Sequence, residues 1–293
     1  MDFGPYFLLA SLEGAVGAAV LAVTALGLSL VFGVMRIVNV AHGEFFMLGA
    51  VIAWWVASLI GIHPAVGFLA ALVVSPLLVG ALAAVAERTV LARIHYDPEA
   101  TIVATIGMLY VIQQAVLMTY GPDARPVQPP FDWRIQLPWF GYPAYKFFVV
   151  GAAAALLLAV WWGLTRTRLG LMMRATQFDR ETARAFAIPV DKVYAGVFAV
   201  GAGLAAIGAV LVVPIQQAHY LMGHDPLLLS FITVIIGGLG SLRGTVLAAV
   251  IIGMSDGIIS VFFSPTLAKI IATFAVAMVL VLRPQGLFGE RPA

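Results

Sequence analysis

The segment Arg36-Ile-Val-Asn-Val-Ala-His-Gly-Glu44 sets an arginine, an amide, an imidazole and a carboxylate between two long uncharged runs. An ionisable group at membrane depth costs about 2.5–3.5 kcal/mol on insertion scales, and it faces a cavity or a partner. Two readings are open. The segment is a turn between two spans, or it is a broken helix lining a route through the membrane. In the second case Asn39, His42 and Glu44 offer hydrogen bonds to a solute, as unwound transporter helices do. Turns are richer in Gly, Pro and Asp than this stretch, which favours the second. Gln113 and Gln114 stand in the middle of another apolar run. There they bond a neighbouring helix, the favoured reading, or contact a polar solute. His219, His224 and Asp225 read as solvated residues of a turn. Asp256, followed by Gly257, caps or kinks its helix or faces a cavity.

Covalent and metal chemistry find little support. The chain has no cysteine, so disulfides, thiolate metal sites and cysteine nucleophiles are all excluded. It contains no Gly-Lys-Ser/Thr phosphate loop, no zinc-helix His/Glu pair and no Gly-x-Ser-x-Gly elbow. The expectation is a non-enzyme with no catalytic residue, no metal site and no cofactor bound by this chain. A net charge of +2, with no basic patch interleaved with aromatics, gives no reason to expect nucleic acid.

The elements that position these residues are membrane helices. Of 293 residues 62% are hydrophobic and only 10% charged, and mean hydropathy is +1.03. A soluble chain carries about 25% charged residues. Crossing a hydrocarbon layer of about 30 Å takes around 20 apolar residues in a helix. Uncharged windows of that kind lie at 14–35, 45–62, 64–86, 100–122, 147–165 and 193–218. Further candidates are 226–242, 244–263 with Asp256, and 266–282 with Lys269 near its start. None alternates as barrel strands do. The expected fold is therefore an all-α polytopic bundle in one transmembrane domain, 1–293, with about nine spans and eight or ten as alternatives. Whether 226–263 crosses fully twice stays open. Gly14, Gly17, Ala18, Gly196, Gly201, Gly203, Gly208, Gly237, Gly238 and Gly240 predict close helix contacts. The start, Met1-Asp-Phe-Gly-Pro, lacks the basic region of a signal peptide and reads as a mature N-terminus.

Orientation follows from Lys and Arg in short loops. With nine spans and 166–192 in the cytoplasm, only Arg125, Arg134, Lys146 and Lys269 of the 16 basic residues fall outside. Arg36, Arg88, Arg93, Arg243, Arg283, Arg291 and the loop's own basic residues fall inside. The N-terminus is then external and the C-terminus cytoplasmic. The outer loop from Tyr120 to Lys146, rich in Pro and aromatics, reads as an interfacial belt or, less favoured, as a docking surface.

The cytoplasmic loop 166–192 is the longest charged stretch. Ala175, Thr176, Phe178, Thr182, Ala183, Ala185 and Phe186 recur at helical spacing among Arg174, Asp179, Arg180, Glu181 and Arg184. This predicts one amphipathic helix stopped by Pro189. Such a helix seated in a partner's groove passes rigid-body motion to the bundle; otherwise it lies on lipid headgroups.

Gly170 to Asp191 resembles the cytoplasmic coupling segment of permeases in binding-protein-dependent ABC importers, most of all the branched-chain amino acid permease family. Similar family stretches are Val31 to Glu44, Glu87-Arg-Thr-Val90, Ile235 to Val246 and Arg283-Pro-Gln-Gly-Leu-Phe288. The resemblance implies a multi-pass permease of the bacterial inner membrane that imports branched-chain or other hydrophobic amino acids. Urea or short amides are the alternative cargo. It implies two cytoplasmic ATPase subunits using ATP and Mg, a second related permease, and a periplasmic solute-binding protein. The coupling positions carried over are Arg174, Ala175, Asp179, Ala183, Ile188 and Pro189. The family often has Gly before the Ile, where this chain has Ala187, and Arg174-Ala175 is a loose form of its Glu-Ala-Ala core. The rival class is an ion-coupled transporter or channel acting alone through Glu44 and His42; a membrane enzyme ranks last.

Overall fold

A computed structural model describes residues 3–61, 63–283 and 285–288. Met1, Asp2, Ile62, Pro284 and Arg291, which fall in stretches read from the sequence, lie outside them. The helices are α1 (Phe3–Met35), α2 (His42–Ile60), α3 (Pro64–Ala86), α4 (Pro98–Thr119), α5 (Ala144–Arg166), α6 (Arg168–Phe178), α7 (Arg180–Ala185), α8 (Val190–Gln216), α9 (His224–Gly237), α10 (Leu242–Phe262) and α11 (Pro265–Leu282). A π turn, Glu87–Leu91, extends α3. A short antiparallel hairpin, β1 (Arg134–Gln136) with β2 (Gly141–Pro143), sits in the loop before α5. The chain is an all-α polytopic membrane protein.

Lipid leaves the backbone no partner but itself, so these runs close into helices. Local residues set where they start. Asp97 and Ser264 accept from backbone N–H groups of α4 and α11, and each is followed by Pro at the first helical position. Ser241 caps α10 in the same way.

Eight described helices are long and apolar enough to cross; α9, with 14 residues, is the short one. At 1.5 Å per residue it spans about 21 Å. Residues 217–223 precede it, so α9 alone is shorter than the span expected at 226–242, while α10 is long and apolar enough to cross.

At the centre stand α1 and α8, with 83% and 72% of their most apolar windows buried, against 11% for α5 and 6% for α11. Lipid gives helices no hydrophobic drive to associate, so contact rests on close packing of small residues. Gly27 of α1 lies on Gly201 of α8, Gly49 of α2 on Ala206, and Gly253 and Gly257 of α10 on Ala18 and Gly14 of α1. Gly17 and Gly196 depart from the expectation: no neighbour approaches where their side chains would be. The α1/α10 pairing is antiparallel, because Gly14 meets Met254 while Gly33 meets Gly240. In between, Thr245 Oγ1 donates to Ser29 Oγ at 2.9 Å.

The loop 166–192 corrects one expectation. It forms two helices, α6 and α7, instead of one. Asp179 breaks them, its backbone extended at φ −156°. Its carboxylate accepts from the N–H of Glu181 and Thr182 and from the Thr182 hydroxyl. That local bonding replaces a further helical turn. It also holds the Asp179 carboxyl below the usual carboxylate range, led by the Thr182 hydroxyl bond. The end of α7 precedes Pro189. Ala187 N–H bonds Arg184 O and Ile188 N–H bonds Ala183 O, with Ala187 at φ +60°. This is a Schellman stop, which normally wants Gly at the left-handed position.

Candidate functional site

The segment after Met35 is a break inside the bundle. Arg36 has φ +54°, and residues 37–41 form no helix. Ile37, Asn39 and Ala41 are buried. Asn39 Oδ1 accepts from Ala41 N–H at 3.1 Å, and Val40 N–H donates to Thr105 Oγ1 of α4 at 3.2 Å. The chain has turned back into the interior. His42 Nε2 donates to the Thr24 carbonyl at 2.9 Å, about three helical turns from the end of α1. A carbonyl only accepts, so the ring carries its proton on Nε2; Nδ1 has no partner among the described residues.

Two helices begin here. Gly43, in the first turn of α2, packs on Gly223, the residue before α9; a Cβ on Gly43 would sit 2.5 Å from the Gly223 carbonyl oxygen. Only a residue without a side chain fits on either side. The contact brings three polar side chains from α2, α4 and α9 together. Glu44 is 1% exposed. Its Oε1 lies 3.8 Å from His224 Nε2, and its Oε2 has no partner among the described residues. Gln113 Nε2 donates to His224 Nε2 at 2.9 Å.

Of the predicted path residues, the structure brings Glu44 and Gln113 together at His224, while Asn39 bonds within its own turn and His42 bonds α1. Gln114 does not join them; it is exposed on another face of α4. His224 belongs to the cluster and was read as a solvated turn residue. The signal for it was Gly223-His-Asp-Pro226, a helix start with Pro in the first turn.

The first turn of α9 also borders a cavity of about 560 Å³ formed by α1, α8, α9, α10 and α11. Thr24 and Phe46 lie among its walls, with Glu13, Asp225, Asp256 and Lys269. Lys146 donates to Glu13 and also lies 5.3 Å from the Tyr142 ring centroid. Lys269 donates to Asp225 at 2.7 Å. None of the five predicted path residues lines this cavity.

An aromatic clamp holds the segment leading to His224. The Arg125 guanidinium lies 4.4 Å from the Trp54 ring and 4.5 Å from the Tyr120 ring. Arg125 and Ala218 exchange backbone bonds at 2.9 Å. The Tyr120 hydroxyl donates to Ala218 O at 2.9 Å. Burial pushes the Tyr120 phenol up to about 12, with the Arg125 charge opposing.

At the other end of the bundle, the predicted coupling residues divide. Arg174, Asp179 and Pro189 are exposed, Ala175 and Ile188 are half-buried, and Ala183 is buried. Two aromatics project outward, Phe178 at 90% and Phe186 at 78% exposure. Behind them, the Gln177 amide reaches the glycines Gly33 and Gly240, beside the turn between α9 and α10. Near the C-terminus, Leu287 N–H bonds Ile236 O at 2.8 Å and Phe288 N–H bonds Gly237 O. These bonds cap α9.

The family model described as branched-chain amino acid transport system, permease component, matches residues 11–282. The high-affinity branched-chain amino acid transport system permease protein LivH of Escherichia coli (strain K12) is 26% identical over 306 residues, covering 97% of this chain and 96% of LivH. The corresponding protein BraD of Pseudomonas aeruginosa is 25% identical over 302 residues, covering 97% and 96%. Among solved structures, PsaBC from Streptococcus pneumoniae in complex with Fab aligns at TM-score 0.47 and 14% identity, covering 98% of this chain and 94% of that chain.

Proposed function

Because this chain belongs to the family of branched-chain amino acid transport system permease components, we propose that it forms one half of the membrane path of an ATP-driven importer. Its cargo is a branched-chain or similar hydrophobic amino acid, handed over by a periplasmic binding protein. A second related permease completes the path. Two cytoplasmic subunits hydrolyse ATP with Mg, and the whole chain, 1–293, acts as one permease domain in a bacterial inner membrane.

The observation that carries this reading is the α6–α7 unit. It is exposed, rigidly capped at Asp179 and Ala187, and it turns Phe178 and Phe186 outward from an otherwise lipid-bound chain. Two exposed aromatics, one ending α6 and one closing α7, suit a groove in a soluble partner. Motion of that partner reaches the bundle through Gln177, Gly33 and Gly240, and switches it between two states. Arg36, Arg88, Arg93, Arg243 and Arg283 belong to the same end as α6–α7. That supports placing this end in the cytoplasm and the start of α1 outside.

Reconstitution tests the proposal. Liposomes holding this chain with its co-purified partners should accumulate leucine only with ATP at the loop side, and Arg174→Glu should abolish uptake without loss of insertion. Accumulation by the chain alone on an ion gradient would overturn it in favour of a secondary transporter. ATP-driven uptake of urea in place of leucine would change the cargo and keep the mechanism.

A further inference from the structure

The polar junction at Glu44 is closed, whereas the cavity beside it has room for a ligand. At about 560 Å³ it falls in the range of small-molecule sites, roughly 300–1,000 Å³ with mostly apolar walls and a few convergent polar groups. Its walls include Val16, Val20 and Leu229, which suit a branched aliphatic body. Its charges do not balance. Glu13 is met by Lys146 and Asp225 by Lys269, while Asp256 makes no ion pair among the described residues. Lys269 acts on Asp256 only from beyond ion-pair distance, and a carboxylate within a membrane helix without a direct partner is costly unless a cation or a cavity meets it. Asp256 is also held in place, because the next residue, Gly257, is wedged against Gly14 of α1.

We propose that this cavity binds a small primary ammonium compound with a branched apolar body, Asp256 supplying the counter-charge. For a zwitterionic amino acid, Lys269 receives the carboxylate by exchanging its bond with Asp225. That last step rests on the amino-acid reading above; the ammonium site does not. Asp225 stands at the head of α9, beside His224, so this exchange reaches the helix that carries the Glu44 junction.

The absence of native cysteine gives a direct test. Ser260 lines the cavity, and Ser260→Cys sets a single thiol there. In lipid nanodiscs, maleimide labelling of this variant should slow about tenfold when isoamylamine exceeds its Kd by that factor. Leucine should protect too. Isocaproate, which keeps the branched body and the carboxylate but lacks the ammonium, should not. Adding Asp256→Asn should remove protection when each rate is compared with that variant's own ligand-free rate, and Asp256→Glu should keep it. Equal protection by isocaproate, or protection that survives Asp256→Asn, overturns the site. If the Asn variant fails to fold, the comparison of isoamylamine with isocaproate on the Ser260→Cys chain decides alone. Isoamylamine protection without leucine uptake by the reconstituted complex leaves the site standing and removes the amino-acid cargo. Leucine uptake without isoamylamine protection does the reverse.

Discussion

Glu44 Oε1 and His224 Nε2 stand 3.8 Å apart, although 180 positions of sequence separate them, and α2 and α9 both begin at that meeting point. The carboxylate is 1% exposed and the imidazole half-exposed, so His224 lies between Glu44 and the surface. Glu44→Gln keeps the shape and removes the ionisable carboxyl. ATP-driven uptake should fall at least tenfold, about 1.4 kcal/mol of transition-state stabilisation. Combined with His224→Asn, the two changes should depart from additivity by more than about 0.5 kcal/mol. Additive effects would separate the two residues functionally.

The junction depends on Gly43 and Gly223. Gly43→Ala forces a methyl toward the Gly223 carbonyl, with backbone on both sides and nothing flexible to yield. Thermal unfolding in detergent should show a loss of about 1–3 kcal/mol, typical of overpacking. Gly151→Ala, where no described atom outside its own helix backbone lies within 4 Å of the added methyl, serves as the control and should be nearly silent.

Coupling and stability separate in the loop. Phe178→Ala and Phe186→Ala remove exposed rings and should leave unfolding unchanged while cutting uptake at least tenfold. Ala183→Leu should do the opposite. Ala183 is 3% exposed, so added bulk should cost about 1–3 kcal/mol of stability. Full uptake in the double Phe variant would take those rings out of the partner contact.

Ala187 occupies a left-handed position at φ +60°, a strain of roughly 1–2 kcal/mol for an L-residue. Ala187→Gly relieves it, against an unfolded-chain entropy cost of roughly 0.5–1 kcal/mol. The net result should be a gain of up to about 1 kcal/mol, read by denaturation. A clear loss would mean that the Ala methyl has a contact of its own.

Asp179 gives the loop a pH limit. Its folded pKa is depressed, so the cap is complete above the ordinary aspartate range, near about 3.9. It is lost as pH falls through the lower folded value. Hydrogen exchange at Glu181 and Thr182 should stay slow down to pH ~5. Asp179→Ala should make it fast at every pH, and Asp179→Asn should restore it in part. Protection that vanishes between pH 7 and 5 would assign the cap to another group.

The spans were legible because lipid demands long uncharged helices, and Arg36–Glu44 announced its break by its polarity. What escaped the sequence came from contacts between distant segments. Nothing local to His224 says that Gln113 and Glu44 close around it. The cavity stayed hidden for the same reason: Glu13, Asp225, Asp256 and Lys269 belong to four helices and meet only once those have packed. Asp179 was visible as a charge, but its strength as a helix break depends on the Thr182 hydroxyl at the right register. Ala183 sat on the small-residue face expected to meet a partner; the fold turns it inward.

The bonds from Leu287 and Phe288 to Ile236 and Gly237 fix an order of assembly. During synthesis α9 enters the bilayer some fifty residues before the segment that completes its last turn exists. Until then the carbonyls of Ile236 and Gly237 lack these partners and must be met by water at the bundle's end. The last turn of this short helix therefore settles only after residues 287 and 288 have been made, and a chain cut just before Gly286 would hold most of its hydrophobic mass yet leave the end of α9 without those partners.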